Sequence, residues 1–313
     1  RNSAPCSKRA PRRNEIKNLF ECVPNFSEGR RPEFVQEIVE AAQGVETVKV
    51  LDLHSDPDHN RSVLTLAGEG EQLAEAVYRS ISRATELIDL RQHTGEHPRL
   101  GATDVVPFIP LGDSTMRDAV RLAHELGERV AESLHIPVYF YEEAAMRPER
   151  QNLETIRRKG FEELRDAIDS DERAPDLGER RVHESAGAIV IGARGPLIAY
   201  NMYLNTSDLR IAKAIAKTVR NSSGGLRYVK ALGLDIPARN QVQVSMNLTN
   251  YRKTAIHTVF NLVRSEAETY GVSVVESEVV GLVPMDALID SARSYLRLHE
   301  FSSDQILERR LME

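Results

Sequence analysis

Residues 93–99 read HTGEHPR and place two histidines and a glutamate within seven positions. The spacing of His93, Glu96 and His97 matches the H-x-x-E-H pattern of inverted zinc proteases, in which two histidines one helical turn apart bind the metal. The same residue types suit an acid/base site, because an imidazole titrates near neutral pH. They also suit a polar turn that has no chemistry. The letters alone leave these three interpretations open.

The zinc interpretation requires a continuous helix, because only the helical turn brings residues i and i+4 to one face. Gly95 lies inside the motif, and Pro98 follows His97 directly. Glycine costs about 1 kcal/mol in a helix interior, and proline disfavours helical backbone at the residue before it. The segment is therefore predicted to be a loop. A metal-dependent hydrolase that uses His93 and His97 stays as an alternative, its ligands completed by Asp56, Asp58 and His59.

An acid/base site needs one imidazole that a rigid loop holds beside the reacting atoms. Of the two histidines His97 is the better constrained, because Pro98 restricts the backbone next to it. Arginines beside such a site suit carboxylates, which a guanidinium can bind with two parallel hydrogen bonds. Arg99 ends this motif and Arg61 ends a second polar loop, so both are candidates for carboxylate binding.

The composition excludes several classes of protein. The chain has 313 residues, 41% of them apolar, and 47 acidic against 41 basic residues give a net charge of −6. These values predict a folded protein of two domains, each of about 150 residues, and argue against a nucleic-acid partner. No apolar run approaches the roughly 20 residues that span a bilayer, so we expect no membrane partner and a cytoplasmic location. Residues 1–18 hold six basic residues and one acidic residue and are predicted to be a disordered tail.

The chain repeats a series of elements at an offset of about 180 residues. In each half, the apolar spacing predicts a strand, a helix, two strands, a second helix and a fourth strand. The fourth strand is expected at 104–108 in the first half and at 280–284 in the second. This β-α-β-β-α-β order predicts an α+β fold, an internal duplication of two ferredoxin-like subdomains at 19–178 and 179–313, with a substrate cleft between them. Both polar loops lie in the first half.

Four longer motifs follow one another along the chain: ECVPNFSEG at 21–29, DHNRSV at 58–63, GEHPRLGATDVVPFIP at 95–110 and GLVPMDAL at 281–288. In this order they resemble the glutamate formimidoyltransferase family, in the form of the bacterial enzymes that have no cyclodeaminase domain. The resemblance covers nearly the whole chain from Leu19 onward. The fold that it implies, two ferredoxin-like subdomains with a folate tunnel between them, agrees with the repeat.

The resemblance implies an activity. The family transfers a formimino group between 5-formimidoyltetrahydrofolate and L-glutamate, a step of histidine degradation and of one-carbon metabolism. Its catalytic histidine falls on His97, which is expected to be the general acid/base. Tetrahydrofolate is expected as a co-substrate, with no metal. Action on 5-formyltetrahydrofolate stays as an alternative, because both donors carry a one-carbon unit on the same nitrogen.

The resemblance also implies binding residues. The family's folate-contacting stretch falls on Gly178, Glu179, Arg180, Arg181, Val182, His183, Glu184, Ser185, Ala186 and Gly187. The expected ligands for the carboxylates of glutamate and folate are Arg61, Arg99 and Arg194. The animal enzymes are expected to have an aspartate where this chain has His54, so Asp56 becomes the candidate for assisting His97. The partners are expected to be small molecules, and exposed sheet edges favour a homodimer.

Overall fold

The computed structural model describes residues 18–57, 59–94 and 99–312, with the backbone alone at 312. The tail that we expect to be disordered therefore lies outside the described residues, except for Asn18. The centre of the HTGEHPR motif lies outside them as well. No helix in these ranges is both long and apolar enough to cross a membrane.

The first sheet has seven strands. Its strands and helices in chain order are β1 (Leu19–Cys22), β2 (Asn25–Phe26), α1 (Pro32–Gln43), β3 (Lys49–Asp56), β4 (Arg61–Glu69), α2 (Gly70–Leu87), β5 (Thr103–Pro110), α3 (Met116–Leu134), β6 (Val138–Glu142), α4 (Leu153–Ile156), α5 (Gly160–Ala167) and β7 (Ile189–Ala193). Strands β1 and β2 both pair with β4 and β5, so they form one interrupted strand. Across the sheet the order is β3, β4, β1 with β2, β5, β7, β6. Strand β7 is parallel to β5 and β6, and the other pairings are antiparallel.

The second sheet has four strands. Its elements, with two helices that follow it, are β8 (Ile198–Leu204), α6 (Leu209–Val219), β9 (Val229–Ile236), β10 (Gln241–Leu248), α7 (Ile256–Thr269), β11 (Val274–Val280), α8 (Met285–Leu296) and α9 (Leu307–Met312). The strands lie in the order β11, β8, β10, β9 and are all antiparallel. Both halves therefore contain a β-α-β-β-α-β series whose strands lie in the order fourth, first, third, second.

The fourth strand of the second half lies earlier than expected. It is β11, Val274–Val280, and the prediction of a strand at 280–284 was wrong. Gly281 has a positive φ of 74°, a conformation that interrupts an extended strand. Pro284 precedes α8 and has no N–H with which to continue a ladder. These two residues form the connection to α8 in place of a strand.

Two further features distinguish the first half. Its second helix joins the fourth strand through the connection 88–102, which contains HTGEHPR, whereas the second half uses the much shorter connection 270–273. Strand β7 pairs with β5 and β6, so the two sheets divide between Ala193 and Ile198. The division therefore lies further along the chain than the expected subdomain boundary at 178/179, because a loop and strand β7 after that boundary belong to the first sheet.

Helices cover one face of each sheet. α1, α2 and α3 pack on the first sheet, and α6 and α7 on the second. In β4, Leu64 and Leu66 are fully buried on the face toward the helices. Because successive side chains of a strand point to opposite faces, Arg61 lies on the other face. A polar side chain caps the start of α6, where the Asp208 carboxylate accepts a hydrogen bond from the Arg210 amide at 2.9 Å.

The opposite face of the first sheet is covered only in part. Ile156 and Leu164, from α4 and α5, pack there against Val105 and Val190. This cover lies over β5, β6 and β7. The adjoining face of β4, which carries Arg61, lies beside the cover and not beneath α1 and α2.

Candidate active site

A buried asparagine lies in the turn between β3 and β4. Asn60 has a positive φ of 49°, a conformation that asparagine adopts more readily than most residues. Its Oδ1 accepts a hydrogen bond from the Gly29 amide at 2.9 Å, and its Nδ2 donates to the Thr94 carbonyl at 3.1 Å. One side chain therefore connects this turn to the segment after β2 and to the HTGEHPR motif.

Hydrogen bonds hold both flanks of HTGEHPR. On one side, His93 Nε2 lies 3.1 Å from the Asn60 carbonyl, and Arg99 donates to the His93 carbonyl at 3.0 Å. On the other side, the Leu100 amide donates to Asp104 Oδ1 at 2.9 Å. The candidate acid/base His97 lies between these flanks but outside the described residues, together with Gly95, Glu96 and Pro98. Asp58, of the second polar loop, lies outside them too.

His93 is half-buried, and burial lowers the pKa of its imidazole. Because a carbonyl oxygen only accepts, His93 Nε2 carries the proton that it shares with the Asn60 carbonyl. Nε2 is thus engaged, whereas Nδ1 is buried and forms no hydrogen bond with a described residue. Among the residues with described positions, no three histidine, cysteine, aspartate or glutamate side chains group together as a metal site.

Arg61, at the start of β4, is a partly buried cation with few hydrogen-bond partners. It donates to Asn25 Oδ1, and its Nε is buried with no hydrogen-bond partner within the described ranges. Burial and the positive charge of Arg157 lower the pKa of Arg61 to about 10, against the opposing charges of Asp104 and Asp56. A buried cation whose hydrogen-bond partner is a neutral amide is unfavourable unless an anion completes the site.

Asp56 ends β3 directly opposite Arg61 in the strand register. Its Oδ1 accepts a hydrogen bond from the His59 amide at 3.0 Å, and its Oδ2 lies 2.6 Å from His59 Nδ1. The Asp56 side chain is 34% exposed, so it is open to solvent beside the pocket. His54 lies two residues earlier on the same face of β3.

Arg99 contacts protein groups through one nitrogen, Nη2, whereas its Nε is buried without a hydrogen-bond partner among the described residues. Besides the His93 carbonyl, it donates to Glu162 Oε1 at 2.9 Å, and its side chain is 12% exposed. Arg194, in contrast, lies after β7, where its amide donates to the Phe108 carbonyl at 3.0 Å. Its charge acts on Glu21 in β1, whose pKa is raised because burial outweighs that charge.

One pocket gathers residues from three of the motifs. Two of the expected carboxylate ligands, Arg61 and Arg99, line it, whereas Arg194 is not among its described lining. The described residues that line the pocket are Asn25, Phe26, Ser27, His59, Asn60, Arg61, His93, Arg99 and Asp104.

The expected folate-contacting stretch runs alongside the connection that contains HTGEHPR. The Ser185 carbonyl accepts a hydrogen bond from the Leu90 amide at 2.8 Å, and the Ala186 carbonyl accepts one from the Ala102 amide at 2.9 Å. This brings the end of the stretch next to the flanks of the motif. The exposed members of the stretch are Gly178, Glu179, Arg180, Arg181 and Glu184.

Sequence reasoning did not select Asn25, Asn60, Asp104 or Arg157. The first three lie inside the quoted motifs, so the motifs contain the signal that could have found them. Arg157 follows α4 in a polar stretch without a motif, and its sequence neighbourhood gives no such signal. It donates to Asp104 Oδ2, and the Asp104 residue is 2% exposed.

Comparison with known proteins identifies the family of the chain. The family model "Formiminotransferase domain, N-terminal subdomain" matches residues 19–194, and "Formiminotransferase domain" matches 199–310. A glutamate formimidoyltransferase of Thermoplasma acidophilum is 52% identical over 296 residues, 94% of this chain and 97% of that protein. One of Streptococcus pyogenes serotype M1 is 43% identical over 295 residues, 94% of this chain and 99% of that protein. The formimidoyltransferase-cyclodeaminase of Rattus norvegicus is 41% identical over 286 residues, 90% of this chain and 53% of that protein. With both halves matched in order, the chain belongs to the formiminotransferase family.

Proposed function

We propose that this chain is a glutamate formimidoyltransferase, which transfers a formimino group between N5 of tetrahydrofolate and L-glutamate. The observation that carries the proposal is 52% identity to a protein of that name over nearly the full length of both chains. The pocket adds chemical support, because its arginines suit a substrate with carboxylates. Tetrahydrofolate is then a co-substrate, and the partners are small molecules.

In the proposed reaction the amino nitrogen of glutamate attacks the formimino carbon that N5 carries. A tetrahedral intermediate forms, the bond from this carbon to N5 breaks, and tetrahydrofolate leaves. The amine loses one proton and N5 gains one, so a single imidazole can take the first and return the second. We assign this role to His97. Support comes from the anchored flanks at His93 and Leu100, because a general base must be held within hydrogen-bond reach of the proton.

We assign Asp56 as the carboxylate that assists the acid/base. Its position opposite Arg61, which lines the pocket, and its partial exposure to solvent support this. Asp56 also holds the His59 imidazole at 2.6 Å, which is the contact that a carboxylate uses to orient an imidazole.

We assign the arginines to different tasks. Arg61 is the substrate-carboxylate ligand, and its buried Nε without a described partner supports this. Arg99 contributes charge to the pocket while it holds the His93 carbonyl. Arg194, at a distance from the pocket lining, suits a carboxylate of the folate tail. The stretch from Gly178 to Gly187 contacts folate in this proposal, supported by its run beside the HTGEHPR flanks.

We also infer that the two sheets are ferredoxin-like subdomains of one internal duplication with a folate cleft between them. The shared strand order supports the duplication. A contact between the two halves supports their adjacency, since Lys230 of β9 donates to Asn152 Oδ1, before α4, at 2.9 Å. The homodimer is supported by exposed apolar residues on and near α8, namely Leu282, Met285, Leu288, Tyr295 and Leu296. The cytoplasmic location stays a prediction from the sequence.

The test is a substrate panel. Purified protein receives 5-formimidoyltetrahydrofolate or 5-formyltetrahydrofolate, each with and without L-glutamate, and release of tetrahydrofolate is measured. The proposal expects release from the formimino compound only when glutamate is present. Equal or faster reaction of the formyl compound would assign the alternative donor, and release without glutamate would contradict transfer.

A further inference from the structure

Two partly buried arginines come from different elements: Arg61 lines the pocket, and Arg157 donates to Asp104, which lines it as well. Arg61 begins β4, and Arg157 follows α4, which packs over the neighbouring part of the same sheet. After burial, the charge of Arg157 is the largest influence on the pKa of Arg61. The two guanidinium groups therefore lie near each other at the border between the sheet face and its helical cover.

Each of these arginines has an N–H donor, at Nε, without a described acceptor. Arg61 donates to the neutral amide of Asn25, and Arg157 donates to Asp104. The Nε atoms of Arg61 and Arg157 are both buried, and neither has a hydrogen-bond partner in the part of the chain that the structure describes. Two buried N–H donors without acceptors are unfavourable, and they are the groups that a bound carboxylate would satisfy.

The described carboxylates whose charges act on Arg61 are Asp104 and Asp56, and both have other partners. Asp104 is the carboxylate that Arg157 contacts, and its second oxygen already accepts the Leu100 amide at 2.9 Å. Arg99 has its own partner in Glu162. Asp104 thus faces two guanidinium groups, and Asp56, the other described carboxylate whose charge acts on Arg61, also holds the His59 imidazole.

We propose that Arg61 and Arg157 together form a carboxylate subsite for the acceptor amino acid, and that Arg157 is a specificity-determining residue. A carboxylate would offer one oxygen to each of the two Nε atoms, in the charge-assisted geometry that guanidinium groups favour. The identity of the acceptor rests on the proposed function. The presence of the subsite rests on the two arginines.

The test uses Arg157→Gln with Arg158→Gln as its matched control. Arg158 is the next residue, but it is 63% exposed and lies 3.7 Å from Glu172 at the surface. The affinity for L-glutamate is measured by calorimetry, and KM and kcat are measured for glutamate and for the folate donor. Arg157→Gln should raise Kd and KM for glutamate about ten- to hundredfold, the usual effect of losing one charge-assisted hydrogen bond. Its folate KM should not change, and Arg158→Gln should behave as the wild type.

Amino-acid analogues identify the carboxylate. L-Glutamine lacks the side-chain carboxylate, and the α-amide of glutamate lacks the other. The analogue without the carboxylate that this subsite holds should bind the wild type and Arg157→Gln equally weakly. If Arg157→Gln does not fold, the double variant Arg157→Gln with Asp104→Asn is used in its place, because it removes the two partner charges together.

The results separate this inference from the proposed function. Unchanged glutamate affinity in Arg157→Gln, or a rise in the folate KM alone, would overturn the acceptor subsite even in an active enzyme. A wild type that fails to release tetrahydrofolate would overturn the proposed function. Calorimetry would then still show whether the subsite binds glutamate.

Discussion

Replacing Asn60 with glycine isolates the contribution of its side chain. Glycine adopts the positive φ of 49° without strain, so the backbone of the turn can persist. The substitution removes the hydrogen bonds to the Gly29 amide and to the Thr94 carbonyl. The internal repeat offers a matched control in Asn240, which has the same φ of 49° before β10 and is exposed.

The expected loss follows from these contacts. Two hydrogen bonds contribute about 1 kcal/mol each, and leaving the buried Gly29 amide without an acceptor adds a penalty, which gives about 2–4 kcal/mol. Asn240→Gly loses only the backbone restriction of the residue, about 0.5–1 kcal/mol. For a unit of this size, 1 kcal/mol corresponds to about 2–4 °C in Tm. The glycine backbone costs both variants about the same, so we expect Asn60→Gly to lower Tm by roughly 4–16 °C more than Asn240→Gly.

Thermal unfolding of both variants followed by circular dichroism measures this difference, and kcat is determined on the same preparations. Asn60→Gly should also lower kcat, because the anchored flank of HTGEHPR is released, whereas Asn240→Gly should leave kcat unchanged. Equal Tm values for the two variants, within about 1 °C, would refute the idea that Asn60 holds the three segments together.

Three further predictions concern neighbouring residues and conditions. Burial acts to raise the pKa of Glu28, but hydrogen bonds from Arg31 and from the amides of residues 30 and 31 lower it overall. Glu28→Gln should therefore reduce the free energy of unfolding measured in urea at pH 7. The difference from the wild type should shrink as the pH falls below about 4.5, because the wild-type carboxylate is then protonated. A Cβ on Gly29 would lie 2.5 Å from the Asp56 carbonyl oxygen, whereas one on Gly195 meets nothing within 4 Å. In denaturant titration, Gly29→Ala should therefore lower the free energy of unfolding by about 3 kcal/mol. Gly195→Ala should lower it by less than about 0.5 kcal/mol. Dialysis against a chelator should leave transferase activity unchanged, and lost activity that zinc restores would favour a metal site.

Much of the order of elements could be predicted from the sequence. Alternating apolar residues predicted β4 and β10, and amphipathic spacing predicted the helices between strands, because these periods reflect burial on one side of each element. The error at 280–284 arose because a run of apolar residues does not show where a strand ends. Gly281 and Pro284 decide that end through backbone conformation and a missing donor.

The sequence predicted the residues of the candidate site only where they belong to a recognisable motif. HTGEHPR, Arg61 and the motif around Asn25 stand out by letter and spacing, and three of the four motifs meet around one pocket. Arg157 could not be found in this way, since it is one arginine in a charged stretch. Only the path of α4 over the sheet brings its guanidinium to Asp104.

The sequence by itself determined the repeat of elements and the family resemblance, and it predicted a loop at HTGEHPR, because these depend on local backbone preferences and on the order of motifs. The tertiary structure decided the partners of the charged groups. In the folded chain Arg99 donates to the His93 carbonyl and to Glu162, and Asp56 contacts His59. The Nε of Arg61 is buried without a described partner. The physical reason is that a charged side chain acquires its role from burial and from neighbours distant in the chain, which only the folded sheet brings within hydrogen-bond distance.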